Sequence, residues 1–366
     1  MKHGNPFGLH RVIEPVGSLP QQADRIDNSM EIYDNEILID VATLNIDSAS
    51  FTQIKEACAG DEQKIRAMIL DIVNRRGKMQ NPVTGSGGML MGRIAQIGPT
   101  LTGATHAGLR VGDRIATLVS LSLTPLSIAS IGAIRIDTDQ VDVDAQAILF
   151  ESGIFAVLPD DMADTLSLAV LDVAGAPAQT ARLVRPGDTV LIIGAGGKSG
   201  LLCLHEARKR AGVTGTVVAF SHSDGGIARV KESGLADIIL QGDATKPVEL
   251  YERFTDALAE YRGVAARGVV AGAVAARDDQ LADIVINNVN IPNTEMASIL
   301  CTRDHGTIYF FSMATSFTKA ALGAEGVGKD IQMIIGNGYA KDHAAIALQV
   351  LRENDILKSM FTRLYT

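Results

Sequence analysis

The chain has few residues of the kinds that cross-link or anchor a protein. Its three cysteines, Cys58, Cys203 and Cys301, are far apart among 366 residues, so neither a disulfide framework nor a cysteine-rich zinc site is expected. No apolar run reaches the roughly 18 residues of a membrane span, and residues 1–25 lack the apolar core of a signal peptide. These absences predict a cytoplasmic protein without a membrane partner.

Basic clusters and aromatic residues are also scarce. The 33 Lys and Arg residues are outnumbered by 42 Asp and Glu residues, which gives a net charge of −9. Nucleic acid is therefore not expected as a partner, because phosphate binding needs concentrated Lys and Arg. Tryptophan is absent and aromatic residues make up 4% of the chain, which agrees with a polar pocket for a small-molecule substrate. At roughly 150 residues per domain, the length predicts two domains.

Short apolar runs alternate with amphipathic stretches in the second half of the chain. The apolar runs are typical of strands buried on both faces, and they are Thr189–Ile193, Thr216–Phe220, Asp237–Leu240, Gly268–Ala271, Ile284–Ile286 and Gly306–Phe311. The predicted helices between them are Leu201–Ala211, Gly225–Ser233, Val248–Tyr261 and Asp278–Asp283. This alternation predicts parallel strands joined by right-handed crossovers, which is a doubly wound α/β sheet.

The first half has a different pattern, which predicts a compact, mostly β domain. Ile32–Leu44 alternates as a half-buried strand does, Pro82–Ala95 is glycine-rich and irregular, and Arg110–Leu118 resembles a turn that leads into a strand. A single amphipathic helix is predicted over Ile54–Arg76, because its apolar residues fall on one stripe with charges opposite.

The C-terminal tail is expected to return to the first domain. It is predicted to form a strand at Gln332–Tyr339, a helix at Asp342–Glu353 and a last strand at Ile356–Leu364. The predicted domains are therefore residues 1–160 plus 331–366, with the inserted helix near residues 54–76, and residues 161–330.

A glycine-rich turn directly after the strand Thr189–Ile193 is the strongest motif. It consists of Gly194, Ala195, Gly196, Gly197, Lys198, Ser199 and Gly200. Glycines let the backbone turn sharply and let a pyrophosphate approach bare amide groups, while the following helix contributes its N-terminal N–H groups. The turn therefore predicts dinucleotide binding, although a tight turn that binds nothing has the same spacing. Lys198 stands too close to Gly194 for a phosphate-binding loop of the Walker type.

The end of the next strand normally distinguishes NAD from NADP. Here Ser221, His222 and Ser223 precede Asp224, and small hydroxyls tolerate a 2′-phosphate, whereas Asp224 is able to bend back to the ribose. We expect NAD, with NADP possible. Asn287 and Ser312, near the ends of two later strands, are further candidates for cofactor binding.

Three segments of the chain resemble the medium-chain dehydrogenase/reductase superfamily. They are Gly92–Gly98 (GRIAQIG), Val111–Ile115 (VGDRI) and Arg185–Val190 (RPGDTV). The resemblance implies the α/β class, with a GroES-like, mostly β catalytic domain and a Rossmann domain built on a doubly wound parallel sheet. It also implies a soluble oxidoreductase, and a homodimer is the commonest symmetric assembly.

Within that superfamily, Gly4–Pro15, Val285–Met296 and Gly323–Gly338 resemble the L-erythro-3,5-diaminohexanoate dehydrogenase family of lysine fermentation. The resemblance implies oxidative deamination of the diamino acid to 5-amino-3-oxohexanoate, with release of ammonia and reduction of NAD. Two alternatives stay open: a zinc-free reductase of quinones or enoyl thioesters with the same fold, and a nucleotide-binding protein without catalysis.

The chain departs from the zinc-dependent members of the superfamily at the ligand positions. Asn45 takes the place of a cysteine, Gly85–Gly87 replaces a Gly-His-Glu sequence, and Ala169 falls near the third ligand. Alanine has no ligand atom, so we expect no metal in the site.

Oxidation of an amine requires its free base, so the site must accept a proton. Two carboxylates at positions that the superfamily pattern places in the cleft, Asp47 and Asp172, are the predicted catalytic residues, although a turn or a helix N-terminus would also explain them. The predicted substrate-binding residues are weaker candidates. They comprise Arg11 and Lys319 for the carboxylate, Asn45, Ser86 and Thr318 as hydrogen-bond partners, and Glu151 and Glu325, the latter in a glycine-rich loop.

Overall fold

The computed structural model describes residues 2–101, 106, 108–263, 280–312, 314–336 and 338–365. The chain divides into two compact units, Met1–Leu168 and Ala169–Thr366. The predicted strand Gly268–Ala271 and residues 278–279 of the predicted helix lie outside the described residues. The end of that helix is wrong, because Ala282 and Asp283 begin a strand. In the part of the chain that is described, no helix is both long and apolar enough to cross a bilayer.

The first unit is built on antiparallel strands. Its strands are β1 (Val12–Glu14), β2 (Arg25–Ile26), β3 (Glu36–Asn45), β4 (Met89–Ile97), β5 (Arg114–Thr117), β6 (Leu126–Arg135), β7 (Gln140–Phe150) and β8 (Phe155–Val157). Six of them form one sheet in the order β6-β7-β3-β4-β5-β8, and β1 pairs with β2. Because Ile37, Ile39 and Val41 of β3 are buried while Asp40 between them is exposed, one face of the sheet covers the core.

Two helices, rather than the single predicted one, pack on this core: α1 (Ser48–Ala57) and α2 (Glu62–Arg76). The chain breaks between them because Ala59 and Gly60 adopt positive φ angles of 51° and 74°. Asp61 then starts α2 by accepting hydrogen bonds from two backbone N–H groups. The region Pro82–Ala95 is also more regular than expected, since most of β4 lies within it.

The second unit is a doubly wound sheet. Its strands are β9 (Thr189–Ile193), β10 (Thr216–Ser221), β11 (Ile238–Gln241), β12 (Ala282–Asn287), β13 (Thr302–Phe310) and β14 (Gln332–Ile335). The division between the units falls within α3 (Asp164–Leu171). The later helices are α4 (Gly175–Leu183), α5 (Lys198–Ala211), α6 (Asp224–Ser233), α7 (Pro247–Arg262), α8 (Glu295–Cys301), α9 (Phe317–Val327), α10 (His343–Glu353) and α11 (Asp355–Tyr365).

All pairings in this sheet are parallel, in the order β11-β10-β9-β12-β13-β14. Numbered within the unit, this is the order 3-2-1-4-5-6, in which ligands bind where the order reverses, at the carboxyl ends of the strands. Here the reversal lies between β9 and β12, and β9 is buried along its whole length. The predicted parallel sheet is therefore confirmed.

The tail differs from its prediction in two ways. Residues 331–366 belong to the second unit, where β14 pairs with β13 and α10 packs on α4 and α5. Ile356–Leu364 is helical, not a strand, because Leu357, Met360 and Phe361 repeat at helical spacing and are all buried.

Candidate functional site

The glycine turn joins β9 to α5 at the reversal point of the sheet. Gly194 has a φ of 82°, and a side chain on Gly200 would stand 2.3 Å from the carbonyl oxygen of Gly194. Gly196 packs so closely on Gly226 of α6 that a Cβ would lie 2.4 Å from the Gly226 Cα. These three glycines are therefore required by the turn itself.

Gly197 is different, because none of the described residues around it requires a glycine. A Cβ there would meet only the Gly194 oxygen, at 3.5 Å, and the backbone is extended, with φ −85° and ψ 173°. Gly197 is also the N-cap of α5, and no side chain caps that helix. The first N–H groups of α5 are therefore not capped by a side chain, and no side chain at Gly197 blocks access to them. This arrangement fits a pyrophosphate.

The end of β10 has no acidic side chain ready for a ribose. Ser221 is buried, and Ser223 caps α6 by accepting a hydrogen bond from the Gly226 N–H at 3.1 Å. Asp224 accepts a hydrogen bond from Gln241 at 2.8 Å. The exposed His222 has its Nδ1 3.1 Å from the Gly242 oxygen.

A cation missed by the sequence analysis also reaches the glycine turn. Arg229 of α6 donates from its Nε to the carbonyl oxygen of Gly196 at 2.8 Å. Its position was not recognisable from the sequence, because an arginine in the middle of a helix is usually a surface residue.

The two carboxylates predicted to be catalytic have different surroundings. Asp172 lies in the turn after α3, and its Oδ2 is 3.0 Å from the Nζ of Lys198, the first residue of α5. Lys198 also lies over the ring of Tyr365, 5.1 Å from its centroid. The carboxylate of Asp172 is therefore already paired with a cation.

Asp47 lies at the N-cap of α1, where its Oδ1 accepts a hydrogen bond from the Ser50 N–H at 3.0 Å. Asp47 therefore has a backbone role as the N-cap of a helix, and not in the turn that the alternative interpretation expected. Its second oxygen, Oδ2, accepts a hydrogen bond from the Ser86 hydroxyl at 2.8 Å. Two further hydroxyls, those of Ser50 and Thr84, lie within 2.9 and 3.2 Å of the Ser86 Oγ. The structure thus joins two predicted residues, Asp47 and Ser86, in one cluster.

The loop that carries Ser86 is held against α1 by a buried amide. The Nδ2 of Asn81 donates to the Ser50 carbonyl oxygen and to Gln53 Oε1, at 3.2 and 2.8 Å, while its Oδ1 accepts from the Val83 N–H at 2.8 Å. Gly88 closes the loop with φ 102°, where a Cβ would lie 2.0 Å from the Asn45 oxygen. The close approach of Ser86 to Asp47 thus depends on one amide and one glycine.

Arg11 is wrong as a ligand for the substrate carboxylate. Its side chain is fully buried and donates to both oxygens of Glu36, at 2.8 and 2.6 Å, and to the carbonyl oxygens of Ser29 and Glu31, both at 2.7 Å. Burial alone would raise the pKa of Glu36, but hydrogen bonds from His10 and Arg11 lower it to about 2. Arg11 therefore anchors the N-terminal segment.

The other predicted substrate-binding residues are dispersed. Glu151 accepts a hydrogen bond from the Asn35 side chain at 2.9 Å in the first unit. Thr318 and Lys319 are exposed in the first turn of α9, and the Lys319 ammonium donates to Asn293 Oδ1. Glu325 lies on α9 and not in a loop, because Ala320 and Ala324 bury one face of that helix. Asn45 lies half-buried at the end of β3, two residues before Asp47.

The other two residues predicted to bind the cofactor, Asn287 and Ser312, both take part in hydrogen bonds within the protein. The buried Asn287 donates from its Nδ2 to Thr294 Oγ1 at 2.9 Å and to Ser298 Oγ at 3.0 Å, so its side chain holds the loop after β12. Ser312 follows β13 and accepts a hydrogen bond from the Ala314 N–H at 3.1 Å.

The donor set at the expected zinc positions does not fit zinc. Asn45 and Ser86 are poor ligands, and Ala169, which is buried, offers no donor atom. Elsewhere in the described residues, ligand atoms of His205, Glu206 and Glu353 lie within 4.8 Å of one another. Their carboxylates are already paired, Glu353 with Lys209 at 2.7 Å and Glu206 with Arg210 at 3.2 Å, so this group is charge-balanced without an ion.

A groove of about 580 Å³ lies on the outer face of the sheet in the first unit. Asp40, Arg93, Asp144 and Gln146 are among its lining residues, and none of the predicted site residues is. The groove is therefore not part of the candidate site.

The strand order and the glycine turn of the second unit, together with the antiparallel sheet of the first, define a medium-chain dehydrogenase/reductase fold. Solved structures agree: an enoyl reductase, CurK, superposes with a TM-score of 0.53 at 14% identity, covering 100% of this chain and 87% of that one. A quinone oxidoreductase from Pseudomonas syringae superposes with a TM-score of 0.51 at 16% identity, covering 93% and 86%. At such identities the likeness concerns the fold alone.

Sequence comparison identifies the family. Residues 10–159 match the model of the L-erythro-3,5-diaminohexanoate dehydrogenase N-terminal domain. Two proteins named L-erythro-3,5-diaminohexanoate dehydrogenase align over the whole chain. The one from Acetoanaerobium sticklandii is 57% identical and aligned over 99% of each chain, and the one from Fusobacterium nucleatum is 54% identical over 100% of each. The chain belongs to the L-erythro-3,5-diaminohexanoate dehydrogenase family, and it is an oxidoreductase that uses a nicotinamide cofactor.

Proposed function

We propose that the protein catalyses the NAD-linked oxidative deamination of L-erythro-3,5-diaminohexanoate to 5-amino-3-oxohexanoate and ammonia, without zinc. The observation that carries this proposal is the identity of 57% and 54% to two dehydrogenases of that name over essentially the whole chain. The quinone and enoyl reductases share only the fold, so no observation favours the reductase alternative.

The glycine turn is the proposed site of the dinucleotide, which supplies the two-electron acceptor when bound. Gly197 leaves room for the pyrophosphate, and the N–H groups at the start of α5 donate to it. We propose NAD rather than NADP, because a 2′-phosphate needs a free cation near the end of β10. Two arginines near this point already donate to carbonyl oxygens: Arg229 to Gly196, and Arg253 to Gln241, which pairs with Ser221.

Asp47 is the proposed base. The reacting nitrogen must lose a proton before its carbon is oxidised, and a carboxylate also attracts the cationic amines of the substrate. Asp47 is half-buried and, among the described residues, accepts hydrogen bonds from the Ser86 hydroxyl and the Ser50 N–H, whereas Asp172 is paired with a cation. We therefore assign the proton-accepting role to Asp47 alone.

Absorbance of NADH during incubation with L-erythro-3,5-diaminohexanoate tests the proposal, with NAD and NADP compared and a quinone and an enoyl thioester run in parallel. We expect NADH formation with the diamino acid, faster with NAD, and ammonia released in equal amounts. Prior treatment with a strong chelator should leave the rate unchanged. Turnover of only the quinone or thioester, or binding of NADH without any turnover, would contradict the proposal.

The homodimer and the cytoplasmic location stay predictions. Sedimentation of the purified protein at micromolar concentration measures the first, with twice the chain mass expected, and fractionation of the source cells measures the second. Among the described strands of the second unit, β14 lies at the edge of the sheet, and Ile335 at its end is exposed, which offers a second copy a strand on which to pair.

A further inference from the structure

The hydroxyls of Ser50, Thr84 and Ser86 lie next to Asp47, and each is within hydrogen-bond distance of the other two. The Ser50 Oγ lies 2.5 Å from the Thr84 Oγ1 and 2.9 Å from the Ser86 Oγ, and the Thr84 and Ser86 oxygens are 3.2 Å apart. In each of these contacts either oxygen is able to donate, so the direction of the hydrogen bonds can reverse. Of these three hydroxyls, only that of Ser86 contacts the carboxylate, at 2.8 Å from Asp47 Oδ2.

This set leads from a sheltered position to the surface. Ser50 is fully buried, Asp47 and Ser86 are half-buried, and Thr84 is exposed in the loop before β4. Asn81 fixes both ends of the set, because its side chain donates to the Ser50 carbonyl oxygen and accepts from the backbone of the loop. The hydroxyls are therefore held in place by the fold.

The proposed reaction needs such an exit. Its balance is R₂CH–NH₃⁺ + NAD⁺ + H₂O → R₂C=O + NH₄⁺ + NADH + H⁺. One proton leaves the substrate ammonium before oxidation, and because the released ammonia departs as ammonium, one proton per turnover must reach solvent. A carboxylate that keeps this proton is unable to accept the next one.

We propose that Ser86, Ser50 and Thr84 form a proton relay that returns Asp47 to its charged form; this inference rests on the proposed function. Protonated Asp47 donates to the Ser86 oxygen, Ser86 passes its own proton on, directly or through Ser50, to Thr84, and Thr84 donates to bulk water. Each oxygen forms one O–H bond as it gives up another, so no hydroxyl gains net charge. The relay then resets when the hydroxyls rotate back.

Thr84 provides the sharpest test, because it is exposed and its replacement by valine keeps its shape. Thr84→Val should lower kcat about tenfold or more, with the KM for the diamino acid within about twofold, whereas Thr84→Ser should retain kcat. Proton exit should then limit the rate, so the solvent deuterium isotope effect on kcat should rise in Thr84→Val, and added imidazole should restore part of the rate. Ser86→Ala should behave in the same way.

Ser48→Ala is the matched control. Ser48 lies on α1, as Ser50 does, but its hydroxyl donates to Asp139 at 2.6 Å and is not part of the relay.

The outcomes separate the relay from the proposed function. Wild-type turnover, with unchanged isotope effects in Thr84→Val and Ser86→Ala, would overturn the relay and leave the function standing. Absence of NADH formation by the wild type would overturn both. Equal losses in Thr84→Val and Ser48→Ala, without rescue by imidazole, would mean that the hydroxyls act only on the structure and would also overturn the relay.

Discussion

The Oδ2 of Asp172 lies 3.0 Å from the Nζ of Lys198, so one predicted catalytic carboxylate is neutralised by the residue that begins the helix after the glycine turn. Exposed pairs of this kind contribute little to stability. We therefore expect Asp172→Asn to retain kcat within about threefold, because the proton acceptor is elsewhere. Steady-state rates of NADH formation measure this. A decrease of kcat by about 100-fold would mean that Asp172 acts as a base and would contradict the account.

Gly197 offers a test of the cofactor site that does not depend on catalysis. Because a Cβ at Gly197 would meet only the Gly194 oxygen, at 3.5 Å, Gly197→Val should fold, which its melting temperature checks, but should weaken NAD binding about tenfold or more by occupying the pyrophosphate space. Fluorescence titration with NADH measures the affinity. Gly225→Ala is the control, since its added Cβ would meet only Arg229, at 3.6 Å. Equal affinities of Gly197→Val and wild type would place the dinucleotide elsewhere.

The second unit was predictable because its strands are buried on both faces. Thr189–Ile193 coincides with β9, since a continuous β-branched run bounded by glycines has few other interpretations. α9 was missed because Gly323 and Gly326 interrupt the helical pattern, and the burial of Ala320 and Ala324 outweighs that weak propensity. The strand predicted for Ile356–Leu364 was wrong, although the spacing of Leu357, Met360 and Phe361 already indicated a helix.

The candidate site was less predictable than the fold. Position along the chain singled out Asp47 and Ser86, but their contact depends on a loop closed by Asn81 and Gly88, which no local pattern reveals. Arg11 illustrates the opposite error. An arginine near the N-terminus suggested a carboxylate ligand, whereas Glu36, 25 residues further along the chain, already binds it. Long-range pairing of this kind is set by tertiary packing.

The buried pair of Arg11 and Glu36 predicts a pH-dependent stability. Because its folded pKa of about 2 lies below the ordinary 4.5, Glu36 stabilises the protein above pH 4.5, and this contribution is lost as the pH falls towards 2. Glu36→Gln removes the buried counter-charge of Arg11, leaves only the more exposed Asp27 carboxylate at 3.5 Å, and should lower the free energy of unfolding by about 3 kcal/mol at neutral pH. Urea unfolding at several pH values measures this. Glu31→Gln, an exposed change, is the control, and equal stabilities of the two variants would contradict the account.

Lys78 predicts a change of stability in the same direction, but in a different pH range. Burial, and to a lesser degree Arg76, lowers the pKa of Lys78 from 10.5 to about 7. Its ammonium donates to the Pro20 and Gln21 carbonyl oxygens, at 2.6 and 3.3 Å. Between pH 7 and 10.5 the unfolded chain binds more protons at this residue, so the free energy of unfolding should rise with pH.

The stability of wild type relative to Lys78→Met should thus increase across this range, by at most about 1.4 kcal/mol per pH unit. Urea unfolding at each pH measures the difference. Lys64→Met, at an exposed position, should show no such trend, and a flat difference for Lys78→Met would mean that Lys78 remains charged.

The rate of NADH formation by Asp47→Asn, compared with Asp61→Asn, tests the central claim most directly. Both aspartates cap a helix, and asparagine caps as well as aspartate does, so neither change should lower the melting temperature. We predict that Asp47→Asn loses about 100-fold or more in kcat for the diamino acid at unchanged NAD affinity, while Asp61→Asn keeps the wild-type rate. Wild-type turnover by folded Asp47→Asn would contradict the assignment of Asp47 as the base.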